Sequence, residues 1–155
     1  MILTWKSDYG LRAIYELALH HGKGPISTKY ISEQHGMSEP FIEKILQELR
    51  KAELVEAKHG RNGGYVLTHA PDEISVLDVV EALESQLALV TCLISDPQVN
   101  CKIEAGCPTS IAWQLIDEKF RDALDSINLN QVVETGQKWP APVKAEDLKD
   151  EMIYA

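Results

Sequence analysis

Residues 38–67 read SEPFIEKILQELRKAELVEAKHGRNGGYVL and combine a helix pattern with a hairpin pattern. Ser38 is a good helix-capping residue, and Pro40 falls in the first turn, where a proline costs no hydrogen bond. Apolar residues then recur at helical spacing on one face, at Phe41, Ile42, Ile45, Leu46 and Leu49. This part of the sequence therefore predicts an amphipathic helix.

The second half of the same stretch predicts a β-hairpin. Two β-prone runs, at residues 54–58 and 65–67, bracket the glycine-rich sequence HGRNGG. The hairpin tip is basic and has little bulk, which suits entry into a narrow groove of DNA.

The preceding residues complete a DNA-binding pattern. A helix is predicted at residues 4–20, with Thr4 or Ser7 as its cap and Gly22 and Gly24 beyond its end. A short helix opens near Ser27 and stops at Gly36. Two short helices joined by a tight turn, the second of them amphipathic, are typical of a helix-turn-helix, and the hairpin that follows would be its wing.

Downstream, Ser75 is predicted to cap a further helix, with Asp78 three residues later. A long helix is predicted to begin at Cys107-Pro108 and to end at about Asn128. Its apolar stripe is wide, and one small winged domain offers little surface to cover it, so the sequence favours a homodimer seam.

Composition limits the function classes. The chain has 155 residues, and the net charge of −9 belongs to its second half, since residues 1–70 hold nine of the 15 Lys and Arg and eight of the 24 Asp and Glu. The first half can therefore approach DNA. The N-terminus does not resemble a secretory signal and no run is long enough for a membrane span, so we expect a cytoplasmic protein. No nucleophile–base pair or phosphate loop indicates an enzyme.

All three cysteines fall in one loop-like segment, spaced C-x8-C-x5-C as Cys92, Cys101 and Cys107. In a reducing compartment such clustering points to metal binding or redox sensing sooner than to disulfides. The alternative is that the thiols are small buried hydrophobes or incidental. From spacing alone the two interpretations stay open.

Taken in order, these motifs resemble the bacterial winged-helix regulators that hold iron–sulfur clusters, of the IscR, NsrR and RirA types. The residues that carry the resemblance are Leu3-Thr4, Tyr9 with Leu11-Arg12-Ala13, Leu49-Arg50-Lys51-Ala52 with Leu54-Val55, Gly60-Arg61-Asn62-Gly63-Gly64-Tyr65, Asp78-Val79-Val80 with Glu84, and the three cysteines before a long helix. The resemblance covers roughly residues 1–135.

The resemblance implies a homodimer on a palindromic DNA operator. The second helix of the helix-turn-helix would enter the major groove and the wing would touch the minor groove. The expected DNA-binding residues are Thr28, Ser38, Glu39, Pro40, Glu43, Lys44, Lys58, His59, Arg61 and Asn62. His59 departs from the arginine that is common in the family at that wing position.

The resemblance also implies an iron–sulfur cluster on Cys92, Cys101 and Cys107, with [4Fe–4S] favoured and [2Fe–2S] as the alternative. IscR-type proteins take a histidine three residues after the last cysteine, but this chain has Ser110 there. NsrR-type proteins use a first-helix aspartate of the partner subunit, which here corresponds to Asp8. The gap of eight residues between the first two cysteines is wider than in IscR and NsrR and is shared with RirA-like proteins, so iron sensing stays open.

We therefore predict a mainly α fold with a small β-hairpin wing and a long C-terminal dimerisation helix. The expected divisions are a DNA-binding domain at 1–84, a cysteine loop at 85–107, the dimerisation helix and a short following segment at 108–135, and a flexible tail at 136–155. The predicted function is a regulator, expected to be a repressor, that senses nitric oxide, redox state or iron. The alternatives are zinc binding or direct thiol oxidation in the same kind of regulator, and, from another class, a small electron-transfer protein.

Overall fold

The computed structural model describes residues 4–84, 87–94 and 107–138, which are mostly helical with one two-stranded antiparallel hairpin. This confirms the predicted fold class. The elements in chain order are α1 (Trp5–Leu19), α2 (Thr28–His35), α3 (Glu39–Lys51), β1 (Val55–Lys58), β2 (Gly64–Leu67), α4 (Val76–Leu83), α5 (Ser110–Asp125) and α6 (Leu129–Gln137), with short 3-10 turns at Pro71–Glu73 and Thr91–Leu93.

Helices α2 and α3 form the predicted helix-turn-helix. The Ser27 hydroxyl caps α2 by accepting a hydrogen bond from the backbone amide of Tyr30 at 3.1 Å. Gly36 ends α2 in the left-handed conformation (φ 63°), which glycine adopts without steric cost. Helix α3 then buries one face in the core, through Ile42, Ile45, Leu46 and Leu49.

The wing is the predicted hairpin, paired from Val55 with Leu67 to Lys58 with Gly64. The segment before α2 adds to it, because Ile26 and Tyr65 exchange two backbone hydrogen bonds, of 3.0 and 2.8 Å. A Cβ atom at Gly64 would collide with the backbone of Ile26. Glycine at this position therefore allows the wing to lie against the helix-turn-helix.

Helix α1 is capped by a residue that is distant in sequence. The amide and hydroxyl of Thr4 donate to Glu84 Oε1 at 3.0 and 2.6 Å, and the Ser7 hydroxyl donates to the same oxygen. Thr4 occupies the N-cap position, as one of the two predicted alternatives, but its side chain makes no capping hydrogen bond and its hydroxyl donates to Glu84 instead. Both hydroxyls act as donors because a carboxylate at the end of α4 stands beside the helix N-terminus.

The predicted cap of α4 is confirmed. The Ser75 hydroxyl accepts from the Asp78 amide at 3.1 Å, and the Asp78 carboxylate accepts from the Ser75 amide at 2.7 Å. These reciprocal bonds form a capping box, which satisfies two amides that the helix itself cannot pair.

The predicted long helix has different ends. It begins at Ser110, not at Cys107-Pro108, and it ends at Asp125, not near Asn128. Its start is delayed because the amide of Ser110 bonds back to the carbonyl of Cys107 in a turn that precedes the helix.

A further helix, α6, begins at Leu129, and the side chain of the preceding Asn128 caps it by accepting from the Gln131 amide at 3.0 Å. Leu129 of α6 is fully buried in the main core, and α6 packs on α1. Of the segment expected to be a flexible tail, residues 139–155 lie outside the described residues.

Candidate nucleic-acid interface and thiol segment

The outward face of α3 presents polar side chains next to the start of α2. Ser38, Glu39, Pro40 and Lys44 are all exposed. Ser38 occupies the N-cap position of α3, but its side chain makes no capping hydrogen bond. Thr28, half-buried at the start of α2, donates a hydrogen bond to Glu39 Oε1 at 2.9 Å. These predicted DNA-binding residues therefore form one continuous surface across both helices.

Glu43 lies at the edge of this surface and is half-buried. Its Oε1 accepts hydrogen bonds from the hydroxyl of Tyr65 at 3.0 Å and from Gln47 Nε2 at 3.3 Å. Burial raises the pKa of Tyr65, and the hydrogen bond to Glu43 raises it further. The phenol therefore remains a neutral donor at physiological pH, and Glu43 is tied to the wing as well as facing outward.

The predicted wing residues lie at the tip of the hairpin, and Lys58, His59, Arg61 and Asn62 are exposed. Lys58 forms an ion pair with Glu56 at 2.5 Å on the same strand. Gly60 in the turn has φ 125°, a conformation that L side chains rarely adopt. The tip thus combines a glycine-dependent turn with exposed basic and polar side chains.

Two of the three cysteines are described, and both are free thiols. Cys92 is exposed in the Thr91–Leu93 turn, and Cys107 is partly exposed just before α5. Hydrogen bonds from the Thr109 side chain and backbone, and from the Ser110 backbone, lower the pKa of the Cys107 thiol. The helix N-terminus therefore favours the Cys107 thiolate, the form that binds metals and reacts with oxidants. Cys101 lies outside the described residues.

Ser110, at the position of the family's histidine ligand, donates its hydroxyl to the carbonyl of Cys107 at 3.0 Å. Its side chain therefore supports the backbone at the start of α5.

Asp8 is exposed on α1 and holds a cation from the same chain. Its Oδ2 lies 2.8 Å from Arg12 Nη2, one turn along the helix. The Arg12 guanidinium also lies over the ring of Tyr9, 5.3 Å from its centroid. Among the described residues, no group of three or more His, Cys, Asp or Glu side chains is arranged to hold a metal ion. Within one chain, the structure thus brings Asp8 to Arg12 and not to the described thiols.

Helix α5, which follows Cys107, exposes several large apolar side chains. Ile111, Leu115 and Ile116 are 61%, 52% and 49% exposed, and Trp113 is also exposed. Among the described residues, the second half of the helix contributes to a hydrophobic cluster, since Phe120 and Leu124 contact Val76, Val80 and Leu87. The first two turns of α5 therefore leave an unusual amount of apolar surface in water.

One polar pair of the core was not predicted from the sequence. Glu16, only 6% exposed, accepts a hydrogen bond from His35 Nε2 at 3.0 Å, which joins α1 to α2. The two residues lie on different helices, and no local pattern signals their contact. The roles of Glu84 and Tyr65 were missed for the same reason, because their partners are distant in sequence.

The described helices include none that is long and apolar enough to span a membrane.

Comparisons with known proteins agree with this geometry. The family model Rrf2, described as "Iron-dependent Transcriptional regulator", matches residues 3–135. Protein rrf2 of Nitratidesulfovibrio vulgaris is 39% identical over 113 residues, covering 73% of this chain and 74% of that protein.

Two solved structures are similar throughout. CymR of B. subtilis, called the global cysteine regulator, has a TM-score of 0.71 at 30% identity and covers 87% of this chain and 98% of that one. IscR of T. potens has a TM-score of 0.70 at 31% identity, and the match covers 90% of this chain and 93% of that one. Such relatives are transcriptional regulators and not enzymes. The chain therefore belongs to the Rrf2 family of DNA-binding, winged-helix transcriptional regulators.

Proposed function

We propose that this protein is a cytoplasmic homodimeric repressor that binds a palindromic operator and responds to nitric oxide, redox state or iron through an iron–sulfur cluster. The observation that carries the proposal is that Cys92 and Cys107 are free thiols and that the pKa of Cys107 is lowered just before α5, whose first turns expose apolar side chains. A chemical change at thiols close to a subunit interface would alter the spacing of the two DNA-binding units.

For DNA, the proposal assigns the α3 surface to the major groove and the wing tip to the minor groove. Ser38, Pro40, Glu43 and Lys44 would face base edges, while Thr28 and Glu39 would support the first turn of α3. Lys58, His59, Arg61 and Asn62 would follow the adjacent minor groove and backbone. The exposure of Ser38, Pro40 and Lys44 on α3 and of the four wing residues supports the assignment.

The proposed dimer interface is the first half of α5. Burial of the exposed Ile111, Leu115 and Ile116 side chains against a second copy would remove them from water, the main driving force of such association. A winged-helix dimer on a two-fold symmetric operator would then place one α3 helix in each half-site.

For the cluster, the proposed ligands are Cys92, Cys101, Cys107 and Asp8 of the partner subunit, with [4Fe–4S] favoured over [2Fe–2S]. The donor types fit, because thiolates are the usual ligands of cluster iron and two of these thiols are free and accessible. A carboxylate is a harder, more easily displaced ligand, and displacement of one ligand would make the site responsive to a small diatomic gas.

Arg12 sets a condition on this role of Asp8. Since Arg12 holds Asp8 at 2.8 Å, an Asp8 that binds iron must exchange that ion pair for the metal. Both residues are well exposed, so the ion pair is weak enough to be exchanged. Tyr9 lies between Arg12 and Phe41, and its ring meets Phe41 of α3 edge-on at 5.5 Å. The ligand exchange would thus take place beside the recognition helix.

The test is anaerobic purification followed by absorption spectroscopy and native mass spectrometry. A brown protein whose visible absorption is bleached by nitric oxide, with a dimer mass that includes iron and sulfide, would support the proposal. Asp8→Ala should weaken cluster retention without unfolding the protein, and Asp78→Ala, which changes an aspartate at another helix start, serves as a control for cluster retention. A colourless protein that contains zinc would contradict the proposed iron–sulfur cluster.

A second candidate is direct thiol oxidation in the same DNA-binding dimer. The lowered pKa of the Cys107 thiol favours it, since the thiolate is the reactive form. The similarity to CymR, a cysteine regulator, supports it as well. Under this proposal, Cys107→Ser would abolish a response to peroxide in a protein that purifies without iron.

A further inference from the structure

Tyr65 is held more firmly than an ordinary wing residue. Its backbone pairs with Ala57 of β1 on one side and with Ile26 on the other, through bonds of 2.8 and 3.0 Å to Ile26. Its side chain is only 8% exposed. Because glycine at position 64 allows the close approach of Ile26, the ring of Tyr65 is fixed relative to both the wing and the helix-turn-helix.

The hydroxyl of this fixed ring bonds to one particular oxygen of Glu43. Tyr65 donates to Oε1 at 3.0 Å, and Gln47, one turn further along α3, donates to the same Oε1 at 3.3 Å. Neither bond goes to Oε2. The carboxylate is therefore held by one oxygen, in an orientation that the wing determines.

We propose that Tyr65 is a positioning residue that sets base specificity by holding the Glu43 carboxylate for a base with an exocyclic amino group, most directly cytosine. The proposal rests on the proposed contact between Glu43 and base edges. Tyr65 itself lies beneath the reading surface and acts through Glu43.

Two physical effects give the arrangement its specificity. A carboxylate only accepts hydrogen bonds, so it pairs with the amino group of cytosine and is repelled by the carbonyl oxygen that thymine presents at the same place. A glutamate fixed before binding also loses less rotamer freedom on DNA than a free one, so the correct base gains more from the contact. The neutral phenol described above remains a donor throughout this process.

The experiment is a selection from a randomised duplex DNA library with the full-length protein, followed by sequencing. The variants are Glu43→Ala, Tyr65→Phe, the double variant, and Tyr15→Phe as a matched control. Tyr15→Phe also removes one phenol hydroxyl, but Tyr15 lies half-buried on α1 with its ring near Gly136 of α6.

We expect Glu43→Ala to remove the cytosine preference at one position of each half-site. Tyr65→Phe should reduce that preference about fivefold, the size of one hydrogen bond, and should leave the other positions unchanged. The double variant should match Glu43→Ala, because Tyr65 acts through Glu43. Tyr15→Phe should select the wild-type sequence.

Each other outcome is informative. If the wild-type protein selects no sequence, the proposed DNA reading fails. If Glu43→Ala shifts the preference but Tyr65→Phe does not, the positioning role of Tyr65 is overturned while DNA reading stands. An equal loss of affinity on all sequences, or an added effect of Tyr65→Phe in the absence of Glu43, would show that Tyr65 only supports the wing.

Gln47→Ala tests the same contact without removing a buried side chain, since Gln47 is exposed and bonds to the same Glu43 oxygen. It should weaken the preference at the same position, by less than Tyr65→Phe. A shift at a different position would contradict the proposal. Thermal unfolding of every variant shows whether the fold is retained.

Discussion

The winged unit, residues 4–84, and helix α5 differ in how their apolar side chains are used. In the winged unit, the apolar faces of α1, α3 and α4 converge on one core, and side chains such as Ile14, Ile42 and Leu49 have no exposed surface. In α5, Ile111, Leu115 and Ile116 face water instead, although the helix is the longest described.

This difference shows which region packs its apolar side chains within one chain and which region leaves them exposed. The winged unit is packed within one chain, since its core is closed and the starts of α1 and α4 are capped by residues of the same unit. Helix α5 packs on a small cluster through Phe120 and Leu124 of its second half, whereas Ile111, Leu115 and Ile116 of its first half remain exposed. A second copy of the chain is the simplest surface that could cover it.

The largest expected effect separates the two regions directly. Leu49→Ala removes a fully buried side chain and should lower the free energy of unfolding by about 3 kcal/mol. Leu115→Ala makes the same chemical change on α5. At low protein concentration it should lower the free energy of unfolding by about 0.5 kcal/mol or less. Urea unfolding at two protein concentrations measures both. Equal losses would mean that α5 belongs to the same packed core.

The second prediction concerns how tightly the winged unit is closed. Gly64→Ala places a methyl group against the backbone of Ile26 and should cost about 2 kcal/mol, because the pairing of Ile26 with the wing must open. The control is Gly22→Ala, where φ is 76° but no atom lies within 4 Å. Backbone strain alone should lower the free energy of unfolding of Gly22→Ala by about 1 kcal/mol. If Gly22→Ala lowered the free energy of unfolding more than Gly64→Ala, the close approach of Ile26 would not explain the need for glycine at position 64.

A third prediction compares two serines at helix N-caps. Ser75→Ala removes a capping hydrogen bond of 3.1 Å and should cost about 1 kcal/mol. Ser38→Ala removes no such bond, so the free energy of unfolding should change by no more than about 0.3 kcal/mol. Thermal unfolding of the two variants measures both effects. If Ser38→Ala lowered stability as much as Ser75→Ala, its hydroxyl would serve the fold and not the DNA surface.

The smallest expected effect is a pH dependence within the winged unit. Partial burial alone would raise the pKa of Glu84, but hydrogen bonds from Ser7 and Thr4 and the charge of Lys6 outweigh it and lower the pKa below its ordinary value of 4.5. The lowered pKa means that this stabilisation is complete above about pH 4.5 and is lost as the pH falls through the folded value. Urea midpoints of wild type and Glu84→Gln between about pH 3 and pH 6 should therefore converge in acid. Parallel curves would contradict the role of Glu84.

The sequence alone predicted most of the fold, because most of its signals are local. The Ser75 and Asp78 cap, the apolar spacing of α3 and the turn around Gly60 are each decided by residues within a few positions. The start of α5 was misplaced since Cys107-Pro108 forms a turn before the helix. Helix α6 was missed, although the spacing of Asn128 and Gln131 is a recognisable capping signal.

For the candidate site, the sequence named candidate residues but not the contacts that they make in the fold. The amino-acid order placed Glu43 on a polar helix face, yet it could not reveal that the Tyr65 hydroxyl holds it. Asp8 was recognised as a candidate ligand, but its pairing with Arg12 became visible only in three dimensions.

By itself the sequence determined helices α1 to α4, the wing and the clustering of the cysteines along the chain, because periodicity, capping and turn chemistry act between near neighbours. Only the tertiary structure decided that Glu84 caps α1, that His35 satisfies the buried Glu16, and that the first half of α5 stays uncovered. These contacts join residues brought together by packing, and a linear pattern carries no record of which distant surfaces will meet.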